Sequence, residues 1–279
     1  MSKNINLLFT GGGTGGHYFP AIAIAWKLKE ALTTLYPQGD FQFYFIGSSF
    51  GIEAQRHEKD LFYKEFYLPI KGFARSFYKG ALLNNIKFPF RFIRSTRTVK
   101  KIIKTINPTL VIATGGYVSG IPGRKAAKRN IPLYLQEQNA YPGVTTRLLV
   151  KHAHVLFYAY EDVIAHISLH PNLRLIQTPN PVRTSLKIID QPTAQKAFSL
   201  NPTRKTLFIF GGSQGSVSIN RELLKYAEAW TRDLPLQLLW QTGKNNFDWV
   251  KKSLKTTENI HLRPFIDEMG IAYSASDFI

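Results

Sequence analysis

Three glycine-rich turns, each directly behind a short apolar run, constrain this chain more than any other feature. They are Gly11-Gly12-Gly13-Thr14-Gly15-Gly16-His17, Gly115-Gly116-Tyr117-Val118-Ser119-Gly120 and Gly211-Gly212-Ser213-Gln214-Gly215. Apolar runs at 5–10, 41–46, 110–114, 133–136, 155–158, 207–210, 236–240 and 260–262 read as strands. Between them, stretches such as 21–35, 88–106, 219–230 and 248–255 carry helical periodicity. Strand and helix in alternation predict an α/β chain of parallel sheets covered on both faces.

The pattern of strand, glycine turn and helix near Leu7 returns near Leu207. Between the two lies Thr178-Pro179-Asn180-Pro181-Val182-Arg183, whose prolines read as a linker. Two Rossmann-like halves are therefore expected, 1–182 and 183–279. Only three strand–helix units fit the second half, and a fourth strand begins at Ser276-Asp277-Phe278-Ile279. The second half is thus expected to be incomplete, the chain being a fragment or a truncated product.

Composition narrows the class. Of 279 residues 44% are apolar and 19% charged, with 20 Phe, 13 Tyr and 4 Trp, which excludes a disordered polycation. The absence of Cys excludes disulfides and thiolate metal sites and fits a reducing compartment. Lys plus Arg number 36 against 18 Asp plus Glu, a net charge of +18, so an anionic partner is expected. Residues 4–26 carry no charged side chain, but five Gly, His17 and Pro20 interrupt them, so neither a signal peptide nor a spanning helix is read there. The expected location is cytoplasmic, with any membrane contact peripheral.

A glycine turn at a strand end lets backbone N–H groups and the next helix's positive end approach a phosphate, and three such turns favour a phosphate-bearing ligand over tight structural turns. None of them reads G-x-x-x-x-G-K-S/T, which speaks against nucleoside triphosphate hydrolysis. Gly11-x-Gly13-x-x-Gly16 fits the dinucleotide pattern, but Phe45-Ile46-Gly47-Ser48-Ser49 offers no acid for a ribose before Glu53. A nicotinamide enzyme is accordingly the lesser alternative.

In chain order, Gly12-Gly13-Thr14-Gly15-Gly16-His17 with Phe19-Pro20, the second glycine turn, Glu137-Gln138-Asn139, Asn180-Pro181-Val182-Arg183, the third glycine turn and Phe265-Ile266-Asp267-Glu268-Met269 resemble the MurG family. Its members are UDP-N-acetylglucosamine:lipid I N-acetylglucosaminyltransferases of bacterial peptidoglycan synthesis. The motifs span the whole chain, and the family's last portion, with further donor contacts, has no counterpart. The resemblance implies a GT-B fold with the acceptor on the first domain and UDP-GlcNAc mainly on the second. It also implies an inverting, β1,4-forming transfer to the 4-hydroxyl of lipid-linked N-acetylmuramic acid, with no cofactor and no required metal. By motif position Thr14, Gly15, Gly16, Asn139, Arg183, Ser213 and Ile266 resemble donor-contacting residues, and His17 the histidine near the reacting centre. A histidine suits a general base, although a helix cap or phosphate contact is the plainer role. Glu137 is the rival base or a structural carboxylate. Arg183 could fork onto phosphate or pack in a linker. Gln136 departs from the family, which usually shows His there. A catalytically inactive remnant that still docks to membrane or acceptor is the alternative from another class.

From Lys71 to Lys104 there are ten Lys or Arg and no acid, so this segment supplies 10 of the net +18. Lys71, Phe73, Arg75, Phe77, Lys79 and Leu82 are read as facing a membrane, with a basic stripe on the helix that follows. Apolar and basic residues together suit an anionic cytoplasmic leaflet. A solvated basic helix is the bland alternative, and nucleic acid is not favoured because no recognition motif accompanies the charge. His152-x-His154 and His166-x-x-x-His170 have ligand spacing but lack a completing set, so no metal is expected. The tryptophans read as packing residues.

Overall fold

A computed structural model describes residues 5–72, 79–183, 186–212, 215–256 and 258–279, with the backbone alone for 79–85. Phe73, Arg75, Phe77, Ser213 and the side chains of Lys79 and Leu82 lie outside the described residues. The chain forms two compact units, Met1–Arg183 and Thr184–Ile279.

The first unit alternates β1 (Ile5–Thr10), α1 (Gly15–Leu35), β2 (Phe41–Ser48), β3 (Lys64–Leu68), α2 (Lys79–Ile106), β4 (Leu110–Ala113), α3 (Gly120–Ala127), β5 (Leu133–Glu137), α4 (Val144–Leu149), β6 (Val155–Tyr158) and β7 (Arg174–Gln177). Its sheet runs in the order β3-β2-β1-β4-β5-β6-β7 with every pair parallel. Strand order therefore reverses between β1 and β4, and the first two glycine turns leave the sheet on either side of that switch point, where open α/β sheets take their ligands. Apolar strands are buried on both faces. Phe9, Phe43, Phe45 and Phe62 pack with Tyr18 and Ile22 on one side, and Leu8, Ile46, Val111 and Leu135 with Val99, Ile103 and Ile121 on the other.

The second unit follows with α5 (Gln191–Ala197), β8 (Lys205–Phe210), α6 (Val217–Leu223), α7 (Ala227–Asp233), β9 (Leu236–Gln241), α8 (Phe247–Ser253), β10 (Ile260–Arg263) and α9 (Met269–Ser274). Its parallel sheet has the order β10-β9-β8. On the free side of β8, Phe278 makes a parallel bridge to Leu207, and its carbonyl accepts the Phe208 N–H at 2.8 Å. This single bridge gives β8 a neighbour on its second side at Leu207.

The differences from the sequence pattern have local causes. β3 and β7 were not expected, because Lys64-Glu65-Phe66-Tyr67-Leu68 and Arg174-Leu175-Ile176-Gln177 are edge strands with exposed polar positions. α1 starts at Gly15 and runs through Pro20, and α2 starts at Lys79 and runs through Pro89. Proline's φ suits a helix, and each ring removes one hydrogen bond without ending the element. The stretch read as one helix over 219–230 is two, α6 and α7.

Trp240 is fully buried and donates its indole N–H to Asn220 Oδ1 at 3.0 Å, while Asn220 Nδ2 donates to Thr242 O at 2.8 Å. Asn220→Leu strands the indole donor and should cost about 1–3 kcal/mol in urea unfolding. On β10, burial and then the neighbouring Arg263 hold His261 below its ordinary pKa of 6.5. The folded state keeps it neutral while the unfolded chain takes up a proton, so this stabilisation is complete above pH 6.5 and is lost as pH falls below it. Unfolding at pH 7.5 and 5.5 should show a drop for the parent that His261→Gln lessens.

Candidate functional site

The start of α1 carries the first four candidate residues. Thr14 is the extended residue before the helix and makes no side-chain cap bond, and its carbonyl accepts the N–H of His17 and Tyr18. The N–H groups of Gly15 and Gly16 open the helix with no acidic side chain in the first turn, which leaves its positive end available to an anion. In the first turn of α1, the Phe19 ring carries the Arg183 guanidinium at 3.9 Å and that of Arg56 at 5.6 Å. Thr14, Gly15, Gly16, His17 and Arg183 are thus gathered at one end of one helix.

His17 is held from the facing turn. Its Nδ1 lies 3.1 Å from Thr114 O and 3.1 Å from Gln138 Oε1, and Thr114 Oγ1 donates to the His17 carbonyl at 2.6 Å. Both neighbours of Nδ1 are acceptors, so Nδ1 carries the proton in the neutral ring and Nε2 holds the lone pair. Among the described residues nothing bonds Nε2. Below the ring, the backbone of the second turn passes so closely that a β-carbon on Gly115 would lie 2.8 Å from Nδ1. Gly116, at φ +79°, backs onto the Gly12 carbonyl, so the two switch-point turns touch.

Amides surround the imidazole. Gln138 Nε2 donates to Thr114 O at 2.8 Å and to Gln136 Oε1, which leaves its own oxygen for His17. Gln136 donates to Asn180 Oδ1 at 3.3 Å, and Asn180 Nδ2 donates to Gln138 O at 3.1 Å. Gln136, which stands where the resembled family shows His, is therefore a buried link in a chain of fixed dipoles.

Glu137 is spent elsewhere. Its buried carboxylate accepts the Asn139 N–H at 3.1 Å, Asn139 Nδ2 at 2.9 Å, the Gly143 N–H at 3.0 Å and the Thr146 hydroxyl at 2.6 Å. Four donors leave it no free lone pair directed at a substrate, which removes it as the rival base and makes it the brace of the turn that presents Asn139. One histidine of each spaced pair is engaged with backbone: His154 Nδ1 accepts the Leu133 N–H and His170 Nε2 lies 3.1 Å from Ala153 O.

In the second unit one residue that sequence reasoning missed ties two candidate segments together. Buried Gln241 accepts the Ile266 N–H on Oε1 at 2.8 Å and donates from Nε2 to Gly212 O at 3.0 Å. Ile266 and the third glycine turn are therefore one local site at the ends of β8 and β9. A glutamine closing an apolar strand was the available signal.

The first glycine turn departs from a dinucleotide loop. Gly13 N–H, which would face pyrophosphate, donates instead to the buried Glu53 carboxylate at 2.9 and 3.0 Å. The protein's own anion fills that position, which removes the nicotinamide alternative.

Two family models match the chain, the glycosyltransferase family 28 N-terminal domain over residues 7–157 and the family 28 C-terminal domain over 206–279. The chain belongs to glycosyltransferase family 28. A transferase of Christiangramia forsetii named UDP-N-acetylglucosamine--N-acetylmuramyl-(pentapeptide) pyrophosphoryl-undecaprenol N-acetylglucosamine transferase is 38% identical over 281 residues, covering 100% of this chain and 72% of that protein. The like-named protein of Bacteroides thetaiotaomicron is 34% identical over 284 residues, covering 100% and 73%. Among solved structures, MurG of Acinetobacter baumannii aligns with a TM-score of 0.63 at 22% identity, over 98% of this chain and 72% of that one. A UDP-GlcNAc 2-epimerase of Methanocaldococcus jannaschii reaches 0.63 at 10% identity, over 99% and 77%. These likenesses place the family 28 chain in the GT-B fold class, as the paired Rossmann-like units require.

Because Glu137 braces a turn, Glu137→Gln in this family 28 protein should lower stability by about 1–3 kcal/mol, since an amide nitrogen would face donors. Urea unfolding measures the loss, and the pH dependence of any turnover should stay in place.

Proposed function

We propose that this chain transfers N-acetylglucosamine from UDP-GlcNAc to the 4-hydroxyl of the N-acetylmuramic acid of lipid I, forming lipid II for peptidoglycan synthesis. Support comes from the like-named relatives, which match the chain from end to end. The observation that carries the chemistry is His17, with Nδ1–H directed at two acceptors and Nε2 open.

In one displacement, Nε2 of His17 takes the proton of the acceptor 4-hydroxyl as its oxygen bonds the anomeric carbon. The bond to the diphosphate oxygen breaks with its electron pair, and UDP leaves from the opposite face, so configuration inverts. In the first unit Thr14, Gly15, Gly16, Asn139 and Arg183, and in the second Ser213 and Ile266, are the residues read as contacting the donor, through backbone N–H, amide and guanidinium groups suited to a diphosphate. The acceptor is assigned to the unit of residues 1–182 and UDP-GlcNAc mainly to 183–279. The non-catalytic remnant is not favoured, because the proposed base and its supports are all in place.

His17→Ala should lower kcat about 10²–10⁴-fold with little change in the KM for UDP-GlcNAc, as read by transfer of labelled N-acetylglucosamine to a lipid I analogue. An unchanged kcat would remove His17 as the base.

We also propose a peripheral position on the cytoplasmic face of the membrane. Among the described residues no helix is long and apolar enough to cross one. On α2, Ile86, Ile93 and Phe90, the last 76% exposed, share a surface with exposed Arg94, Arg97 and Lys101. Lys71, also exposed, precedes the segment. At about 1 kcal/mol per charge near an anionic leaflet, Arg94→Gln, Arg97→Gln and Lys101→Gln together should weaken binding to anionic vesicles on the order of 100-fold. Equal co-sedimentation with neutral and anionic vesicles, or with neither, would count against this position.

A further inference from the structure

Glu53 is a buried acid with no part in the transfer just described, and its surroundings are unusual for a structural carboxylate. It is 0% exposed, and among the described residues no cation pairs with it. Its donors are all backbone: Gly13 N–H at 2.9 Å to Oε1 and 3.0 Å to Oε2, and Ser48 N–H at 2.9 Å to Oε1. Three glycines from three segments close on it. A β-carbon on Gly12, Gly47 or Gly51 would stand closer than 3.0 Å to the Glu53 side chain.

Such a site is a poor way to stabilise a fold. Removing a carboxylate from water is costly, and glycine loses more chain entropy on folding than any other residue. An apolar side chain with β-carbons around it would serve packing better. What the arrangement does supply is a fixed path for the first glycine turn at the switch point. From there a contact route reaches the imidazole. The Gly12 carbonyl backs onto Gly116, and the Gly115 backbone lies under His17 Nδ1 and Cε1. Tyr117 packs on Gly13 and donates its hydroxyl to Ser48 Oγ at 3.2 Å, closing the second turn onto the strand end that Glu53 also grips. Burial raises the Tyr117 pKa, so that hydroxyl stays a donor.

We propose that Glu53 is a positioning residue for the transfer: a resident anion that sets the first glycine turn and, through the second, seats His17 with Nε2 toward the acceptor. This rests on the reading of His17 as the base.

The experiment compares the full chain with His17→Ala, Glu53→Gln and the double variant. Two measurements are made: labelled transfer to a lipid I analogue, and ¹⁵N NMR of the imidazoles without substrate, His17 being assigned by its loss in His17→Ala. Glu53→Gln is expected to lower kcat tenfold to a hundredfold with the KM for UDP-GlcNAc within twofold. The double variant is expected to be no slower than His17→Ala alone. The parent should show the neutral Nδ1–H tautomer, and Glu53→Gln a mixture of tautomers. Losses that multiply in the double variant, or an unchanged His17 spectrum, would overturn the role of Glu53. Full turnover in His17→Ala would instead overturn the base, and the spectrum would still decide whether Glu53 seats the ring. Should Glu53→Gln fail to fold, Glu53→Asp, which keeps the charge and withdraws it by one methylene, carries the same comparison, with an intermediate shift supporting the proposal and none overturning it.

Discussion

Parallel pairing of β1 with β2 on one side and β4 on the other governs the rest of the first unit. Between central strands the backbone N–H and C=O groups pair with one another, so polar chemistry gathers where strands end. At the reversal point the connections after β1 and β4 diverge toward opposite faces, and the gap between them is where open α/β sheets take their ligands. His17 enters it from the start of α1, Thr114 from the end of β4, Gln138 from the end of β5 and Asn180 from beyond β7. Residues far apart in the chain become neighbours because each follows a strand end, Thr114 and Gln138 by one position, Asn180 by three and His17 by seven.

Around His17 the polarity comes from amides and carbonyls. Gln136, Gln138 and Asn180 orient one another, and none changes charge across the working pH range. Oriented dipoles of this kind stabilise developing charge without reorganising when the proton moves. The exchange of His for Gln at position 136 thus preserves the hydrogen-bond path while removing a second imidazole from the same crevice.

Fold class was legible because apolar runs ending in glycine have few alternatives to strands of a parallel sheet. The edges were less so: β3 and β7 face solvent on one side and lack the continuous apolar signal of central strands. Proline misled at Pro20 and Pro89, since packing of the following helix outweighs one missing hydrogen bond. At the site, the motif residues were visible as types, but partnership was not. Glu137 reads in sequence as either a base or a structural carboxylate, and only the turn that folds back through Gly143 and Thr146 shows its lone pairs to be taken. Glu53 was silent for the same reason, as its partners are backbone groups, which have no sequence signature.

The glycines around Glu53 also bear on how this chain can diverge. A side chain at position 51 meets Glu53 alone, one at 47 meets Phe45 as well, and one at 12 would also have to adopt φ +156°, while a smaller residue at 53 leaves N–H groups and a void that the glycines cannot fill. Single steps away from the present set are therefore unfavourable in every direction, although joint replacements need not be. The four positions form an epistatic block, and a library that randomises them one at a time will report them as intolerant, whereas one that varies them together can reveal whether the crevice has other ways to hold its shape.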